Sequence, residues 1–290
     1  MKVKAYAKIN LTLDIPKIRD DGYHELSSVF STVSLHDELE ITVADNEVGN
    51  EIILNCNEPS VPCDKRNLCW KAAEAIIEKY EIKNKRINID LTKNIPSGAG
   101  LGGGSSDCAE TLKVLNKLLE INAPDEELES IGVKLGADVP FFIKGGTQLA
   151  EGIGEVLTKL NLNLPEELKI VIIKPEAELL SGNIYKIFDN LPKNKVVEAS
   201  TENFIKEISL GNIEAFKTIT NMLEPAAKTL CEDIETAEKL LLENDAITAM
   251  MTGSGSAVFG IFTNRNKAAE ALEAAKHNDK IIFGTMCRFI

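Results

Sequence analysis

The run IPSGAGLGGGSSD, from Ile95 to Asp107, packs five glycines into the seven residues Gly98 to Gly104. Glycine adopts positive φ freely and lets backbone approach a ligand closely, so such a run marks a special loop. Before it, Arg86 to Thr92 alternates (Ile87, Ile89, Leu91), as a half-buried strand does. After it, a helix is expected from about Ser106 to Glu120, burying Ala109, Leu112, Leu115 and Leu119. A flexible linker has no reason to sit between two such patterned elements. A glycine loop entering a helix instead aims bare N–H groups and the positive end of the helix dipole at an anion. Ser105 and Ser106 add hydroxyl donors where that helix begins.

Two familiar phosphate loops do not fit. A Walker A loop needs G-x-x-x-x-G-K-[ST], and this glycine run contains no lysine. The string G-x-G-x-x-G does occur, at Gly98, Gly100 and Gly103, with Glu120 about 20 residues beyond the middle glycine. A dinucleotide-binding first strand, however, is buried on both faces and reads as continuous apolar residues, whereas Ile87 to Leu91 alternates with Asn88 and Asp90.

From Val3 to Ile15 the odd positions (Val3, Ala5, Ala7, Ile9, Leu11, Leu13, Ile15) are apolar and the even ones mostly polar. This predicts a long strand with one buried face, on which Lys8 and Asn10 project the same way, roughly 7 Å apart. A turn follows at Arg19 to Glu25 from its Asp-Gly content, then strands near Glu38–Val43 and Glu51–Asn55. Leu68 to Tyr80 has the apolar stripe of a helix. A third helix starts near Asp125, taken as its N-cap, and ends around Gly136. Gly154 to Glu166 reads as a crossing between lobes. Beyond it come a strand (Leu168–Lys174), helices near Ile213–Leu223, Ile234–Glu243 and Lys267–Lys276, and strands near Ser256–Phe262 and Ile281–Ile290. Strands and helices mix without a βαβ period, so the class is α+β rather than doubly wound. With 290 residues, two lobes are expected: residues 1–160 carrying the phosphate loop and residues 161–290.

A net charge of −13 argues against a nucleic-acid partner, which needs phosphate-neutralising surface. No stretch approaches the roughly 18 apolar residues that span a bilayer, and the N-terminus lacks the apolar core of a signal peptide, so a cytoplasmic protein is expected. Cys56, Cys63, Cys69, Cys108, Cys231 and Cys287 form no CxxC pair and read as reduced thiols. His24, His36 and His277 are scattered, against a zinc site. Asp138, in Gly136-Ala137-Asp138-Val139-Pro140, sits among apolar neighbours. Such an acid is a structural turn residue or, beside a phosphate loop, a general base. Thr252-Gly253-Ser254-Gly255-Ser256 by itself is a turn before an apolar strand.

Together these pieces resemble the superfamily of galactokinase, homoserine kinase, mevalonate kinase and phosphomevalonate kinase. Its central P-x-G-x-G-L-G-G-G-S-S loop is matched by Pro96 to Ser106, and its C-terminal Gly/Ser motif by TGSGSAVFG, Thr252 to Gly260. The resemblance implies a two-domain α+β fold with mixed and antiparallel sheets, packed helices and an active site in the cleft between lobes. AKINLTL (Ala7 to Leu13), RDDGYHEL (Arg19 to Leu26), NLCWKAA (Asn67 to Ala73) and LGADVPFF (Leu135 to Phe142) are similar to one branch of it. Members of that branch phosphorylate the 2-hydroxyl of a methylerythritol carrying cytidine diphosphate, in non-mevalonate isoprenoid precursor synthesis. GYH is the discriminating string.

By that resemblance ATP and Mg2+ are the cofactors, residues 1–160 bind ATP and residues 161–290 bind substrate. Lys8 and Asp138 form the catalytic pair: Asp138 takes the hydroxyl proton, and Lys8 orients it and offsets charge on the moving phosphoryl group. Asn67, Leu68 and Lys93 lie near adenine and ATP, while Pro96, Ser97, Gly98, Ala99, Gly100, Leu101, Gly102, Gly103, Gly104, Ser105 and Ser106 hold the phosphates. Asn10, Tyr23, His24, Ser181 and Tyr185 contact substrate, Tyr23 and His24 reading cytosine. Protein ligands to the metal are not identified, with Ser106 a candidate, and monomer and homodimer both stay open. One departure stands out: the family's N-A-A after Ser105-Ser106 is here Asp107-Cys108-Ala109, adding a carboxylate that competes with phosphate for the helix dipole. The rival readings are a sister kinase or decarboxylase acting on a mevalonate-like alcohol, and a non-catalytic nucleotide-binding regulator.

Overall fold

A computed structural model describes residues 1–162 and 164–290; within the expected Gly154–Glu166 crossing, Asn163 lies outside the described residues. In chain order the first elements are strands β1 (Lys2–Asn10), β2 (Asp14–Ile18), β3 (His24–Asp45) and β4 (Glu51–Cys56), helix α1 (Leu68–Lys79) and strand β5 (Lys85–Thr92). Helices α2 (Gly103–Leu118), α3 (Asp125–Gly132) and α4 (Val139–Lys144) follow, then strands β6 (Thr147–Gly152), β7 (Val156–Lys159) and β8 (Lys169–Pro175). The remainder comprises helices α5 (Ser181–Phe188), α6 (Thr201–Ser209), α7 (Glu224–Lys228) and α8 (Asp233–Glu243), strands β9 (Thr248–Met251) and β10 (Val258–Phe262), helix α9 (Arg265–Lys276) and strand β11 (Ile281–Cys287). The α+β class is as expected. No described helix is long and apolar enough to cross a membrane.

The chain divides into two compact units. One comprises Met1–Ala7, His36–Ile95 and Gly102–Gly145. In it β3 pairs antiparallel with β5, setting Leu39 opposite Leu91 and Ile41 opposite Ile89, and β4 joins β5 in parallel. Period-two patterning therefore gives one apolar sheet face, with Ile41, Ile87 and Ile89 fully buried. Helix α1 packs against α2, and α2 against α4. The buried stripes of α1 (Ala72, Ala73, Ile76) and α2 (Ala109, Leu112, Leu115) complete this core.

The other unit comprises Lys8–Leu35, Pro96–Leu101 and Gly146–Ile290. Its four-stranded antiparallel sheet runs β11-β8-β10-β9. Central strand β8 is buried from Ile170 to Pro175. Lys174, at its end, is only 2% exposed; its Nζ donates to the carbonyls of Pro175 at 3.1 Å and Ala177 at 3.3 Å, and burial lowers its pKa. Leu13 and Ile15 join Val171, Ile173, Leu241 and Phe262 in the core beside this sheet.

Several boundaries move for identifiable reasons. The expected unbroken strand from Val3 to Ile15 is interrupted at Leu11–Leu13, where Leu11 N–H turns to Val29 O and Leu13 N–H to Thr220 O. The expected single buried face does not hold beyond Ala7: Ala5, Ala7, Ile9 and Leu11 are fully buried, but Lys8, Asn10, Thr12 and Asp14 on the other face are no more than 4% exposed, because the strand is covered on both sides there. Helix α2 starts at Gly103, before the expected Ser106. Glycine is a poor interior helix former, but the first turn asks for no side-chain packing. Pro124 takes the cap position of α3 and leaves Asp125, Glu126 and Glu127 as an acidic first turn, which suits the dipole. The helix expected over Ile213–Leu223 is instead a 3-10 turn at Ile213–Thr218, with α7 following from Glu224.

Within α2, Leu112 is fully buried and Leu118 is 37% exposed. Leu112→Ala should lower unfolding free energy by about 2–5 kcal/mol and Leu118→Ala by no more than about 0.5 kcal/mol, read from urea midpoints at unchanged slope. Equal losses at the two positions would contradict this packing.

Candidate active site

Within the second unit, strand β1 ends in two polar residues that are nonetheless buried: Lys8 is 4% and Asn10 2% exposed. Lys8 Nζ donates to Asn10 Oδ1 at 2.6 Å and lies 4.4 Å from the centre of the Phe30 ring. Asn10 Nδ2 donates to Ser28 Oγ at 2.9 Å, and Asn10 N–H to Thr252 Oγ at 2.9 Å. Buried polar groups need such partners. The sequence-nominated pair Lys8 and Asn10 thus forms one hydrogen-bonded group with the start of the Gly/Ser segment.

That segment meets the first part of the glycine loop. Leu101 O accepts from Lys8 N–H at 3.0 Å, and Ala99 O from Ala257 N–H at 3.3 Å. Gly100 has φ +75°, and a β-carbon there would stand 2.2 Å from Thr252 O. Only glycine permits this approach. Asn221, buried at 2% exposure, fixes the segment from behind: its Nδ2 donates to Met251 O at 2.9 Å and Gly253 O at 2.8 Å. Glu224 contributes a further tie by accepting from Met251 N–H at 2.9 Å.

In the first unit, α2 opens on Gly102 in the left-handed conformation (φ 71°, ψ 15°), with no side-chain cap on its first N–H groups. Ser106 N–H makes a helical bond to Gly102 O at 2.9 Å, and the Ser106 side chain is buried. Two nominated residues, Leu68 and Lys93, come close to this helix start. A β-carbon on Gly104 would meet only Leu68 Cδ1, at 3.7 Å, and one on Gly103 would lie 3.2 Å from Lys93 Nζ. Asn67 caps α1, accepting from Cys69 N–H at 2.8 Å and donating to Pro62 O at 2.9 Å. Asp138 is half-buried at the N-cap of α4. The turn before it approaches the same helix start, since a β-carbon on Gly136 would stand 3.5 Å from Ser105 Oγ.

Asp107 does not turn toward the loop. Its Oδ2 accepts from Lys93 Nζ at 2.7 Å, and Lys93 also pairs with Asp37. Asp37 in turn accepts from Ile95 N–H at 2.8 Å. Asp107 Oδ1 is buried without a hydrogen-bond partner. Burial, helped by the charge of Asp37 and opposed by Lys93, pushes the Asp107 carboxyl up to about 7. For Lys93 burial works against the charged form, but the two carboxylates outweigh it and its pKa is raised.

The remaining nominated residues lie in the second unit. The turn at Arg19–Tyr23 is built by Arg19 N–H donating to Tyr23 O at 2.7 Å and by the Arg19–Asp21 ion pair at 2.9 Å. Tyr23 is 60% exposed, so its ring does not pack the turn. His24 lies against Tyr185, with ring centres 4.7 Å apart, and its Nε2 is 2.6 Å from Asp189 Oδ1. Ser181 and Ser254 share a hydrogen bond of 2.7 Å between hydroxyls. Asp37, Asp189 and Asn221 were not singled out by sequence, whereas Ser254 lies in the Gly/Ser segment that was. The one local signal among them is Asp189, which follows Tyr185 by four residues on the expected recognition segment.

A profile described as GHMP kinases N terminal domain matches residues 67–146, and one described as GHMP kinases C terminal matches residues 204–280. A Clostridium beijerinckii protein named 4-diphosphocytidyl-2-C-methyl-D-erythritol kinase is 42% identical, over 98% of this chain and 99% of its own. A like-named protein from Caldicellulosiruptor bescii is 40% identical, over 99% of this chain and 98% of its own. The crystal structure of a 4-(cytidine 5'-diphospho)-2C-methyl-D-erythritol kinase superposes with a TM-score of 0.81 at 29% identity, covering 99% of each chain. L. major mevalonate kinase superposes with a TM-score of 0.77 at 15% identity, covering 100% of this chain and 95% of its own, a likeness of fold alone.

The raised Asp107 carboxyl has a consequence for stability. Between the ordinary value of 3.8 and about 7, the folded protein keeps a proton that the unfolded chain has released. Stability from this group is therefore full at low pH and declines as pH rises through that window. Asp107→Asn has no such proton, so its melting temperature should gain on the wild type between about pH 4 and about pH 7, by calorimetry. A constant difference across that range would contradict the burial of this carboxyl.

Proposed function

The chain belongs to the GHMP kinase family, among its 4-diphosphocytidyl-2-C-methyl-D-erythritol kinases, and on that premise we propose that it phosphorylates the 2-hydroxyl of 4-diphosphocytidyl-2-C-methyl-D-erythritol, giving the 2-phosphate and ADP. It is an ATP-dependent kinase of isoprenoid precursor synthesis. The observation that carries the reading is the first turn of α2, a helix entered through left-handed glycine with no side chain capping its N–H groups. Such a turn fits a nucleotide's phosphates: the donors are peptide groups, the dipole favours an anion, and the only neighbour a β-carbon at Gly104 would meet is Leu68 Cδ1 at 3.7 Å.

Phosphoryl transfer asks the protein mainly for positioning and charge stabilisation. Residues Pro96 to Ser106 hold the triphosphate, and Asn67, Leu68 and Lys93 support the nucleotide end. Asp138 takes the proton from the substrate hydroxyl, and Lys8 offsets charge on the transferring group. Asn10, Tyr23, His24, Ser181 and Tyr185 hold the substrate, the aromatic residues receiving its cytosine. Magnesium, when bound with ATP, offsets charge on the β- and γ-phosphates. Among the described residues no group of three or more His, Cys, Asp or Glu could hold a metal ion, and the Ser106 hydroxyl is the one protein donor nominated. The functional division at residue 160 and a cytoplasmic location belong to the same reading.

A positioned base is worth about 10²–10⁴ in rate. Asp138→Asn should lose turnover by that factor while ATP affinity, by calorimetric titration, changes little. Turnover near the wild-type level would remove Asp138 from the role. Tyr23→Ala should raise KM for the cytidine substrate far more than KM for ATP, and equal rises would argue against ring recognition. Offering ATP with this substrate, mevalonate or homoserine in parallel tests the assignment itself: phosphorylation of mevalonate or homoserine in its place would overturn it.

A further inference from the structure

The hydrogen bond between His24 and Asp189 joins residues 165 positions apart and is not part of the catalytic apparatus described above. At 2.6 Å it is in the short range of charge-assisted bonds. An ionised carboxylate only accepts, so the hydrogen of this bond sits on Nε2 of the imidazole. In a neutral ring that leaves Nδ1 as a bare lone pair, an acceptor. Nδ1 makes no hydrogen bond to any described residue.

The ring is also held in place. Tyr185 lies tilted by 33° against it, and Phe188 approaches edge-on with centres 6.1 Å apart. The His24 side chain is only 9% exposed. Tyr185, Phe188 and Asp189 all come from the C-terminal turn of α5, where Asp189 is the cap residue and its N–H donates to Tyr185 O at 3.0 Å. A carboxylate at that end faces the negative pole of the helix dipole. Helix stability therefore does not account for an aspartate here; the bond to His24 does.

We propose that Asp189 is a positioning residue that fixes His24 with its hydrogen on Nε2 and its lone pair at Nδ1, so that the ring selects cytosine over uracil. This rests on the assignment of a cytidine-bearing substrate made above. Cytosine carries an amino donor at the ring position where uracil carries a carbonyl acceptor. An acceptor at Nδ1 bonds the first and opposes the second, and a site built around a specific hydrogen bond rejects the analogue that lacks it. Releasing the tautomer should weaken that choice without touching phosphoryl transfer.

Asp189→Asn keeps the size of the side chain but can donate to Nε2 as well as accept, so it no longer dictates the tautomer. Against the wild type, its ratio of kcat/KM for the cytidine substrate over the uridine counterpart should fall about tenfold or more. The loss should appear as a higher KM for the cytidine substrate, with kcat at saturation and KM for ATP unchanged. Independently of any activity, 15N chemical shifts of the His24 ring in the substrate-free enzyme should show the Nε2–H form in the wild type and a mixture or the Nδ1–H form in the variant. An Nδ1–H ring in the wild type, or an unchanged cytidine-to-uridine ratio in the variant, overturns the proposal. Wild-type enzyme that phosphorylates no cytidine substrate would instead overturn the functional assignment, with the ring spectra still reporting on Asp189.

Discussion

Between Gly100 and Thr252 there is no room for a side-chain atom: a β-carbon at Gly100 would overlap the Thr252 carbonyl at 2.2 Å. Two stretches of backbone more than a hundred positions apart are thus brought to direct contact by the absence of a substituent. Everything polar at that end of β1 is arranged around this contact. Thr252 accepts from the Asn10 amide, Asn10 holds Lys8, and Lys8 N–H is bound to Leu101 O just past the contact. Lysine at 4% exposure needs partners for its ammonium, and Asn10 Oδ1 together with the Phe30 ring contributes to that setting.

The start of α2 solves a different electrostatic problem. A carboxylate in the first turns of a helix that is to receive phosphate would be a competitor for the dipole. Here Asp107 is folded back onto Lys93, which also answers Asp37. The concern raised by the Asp107-Cys108 departure is met by geometry, because the carboxylate is occupied within the helix base and buried away from solvent. Burial, with the charge of Asp37 added and that of Lys93 opposing, raises the Asp107 carboxyl to about 7.

Local pattern carried much of this architecture. The alternation of Val3 to Ile15 predicted buried Ala5, Ala7, Ile9 and Leu11, and the glycine run predicted the entry to α2, because period and backbone freedom are properties of neighbouring residues. What depends on distant partners was not legible. The stretch around Ile213–Leu223 looks helical, yet Thr220 O is taken by Leu13 N–H and Asn221 by the Gly/Ser segment, so the backbone departs from a helix there. Helices α4, α5 and α6 are short, and strands β6, β7 and β9 are brief, so neither period repeats enough to be read. In the site, Lys8 and Asn10 stood out as polar residues on a strand, whereas Asp37, Asn221 and Asp189 acquire their roles only from partners the fold delivers.

Asn221 grips the Gly/Ser segment through two carbonyl oxygens, those of Met251 and Gly253, and through no side chain of it. A clamp of this kind is blind to the identity of what it holds. A substitution in the held segment therefore leaves the clamp's own two bonds in place. The clamping residue itself has no such latitude: few side chains reach with one amide nitrogen to two acceptors while offering an oxygen to Leu223 N–H. The clamp therefore sets no limit of its own on the side chains it holds; what limits them is the contact each makes, as Thr252 with Asn10 and Ser254 with Ser181, while the asparagine that nothing about its own neighbourhood in the sequence distinguishes is fixed by the clamp itself.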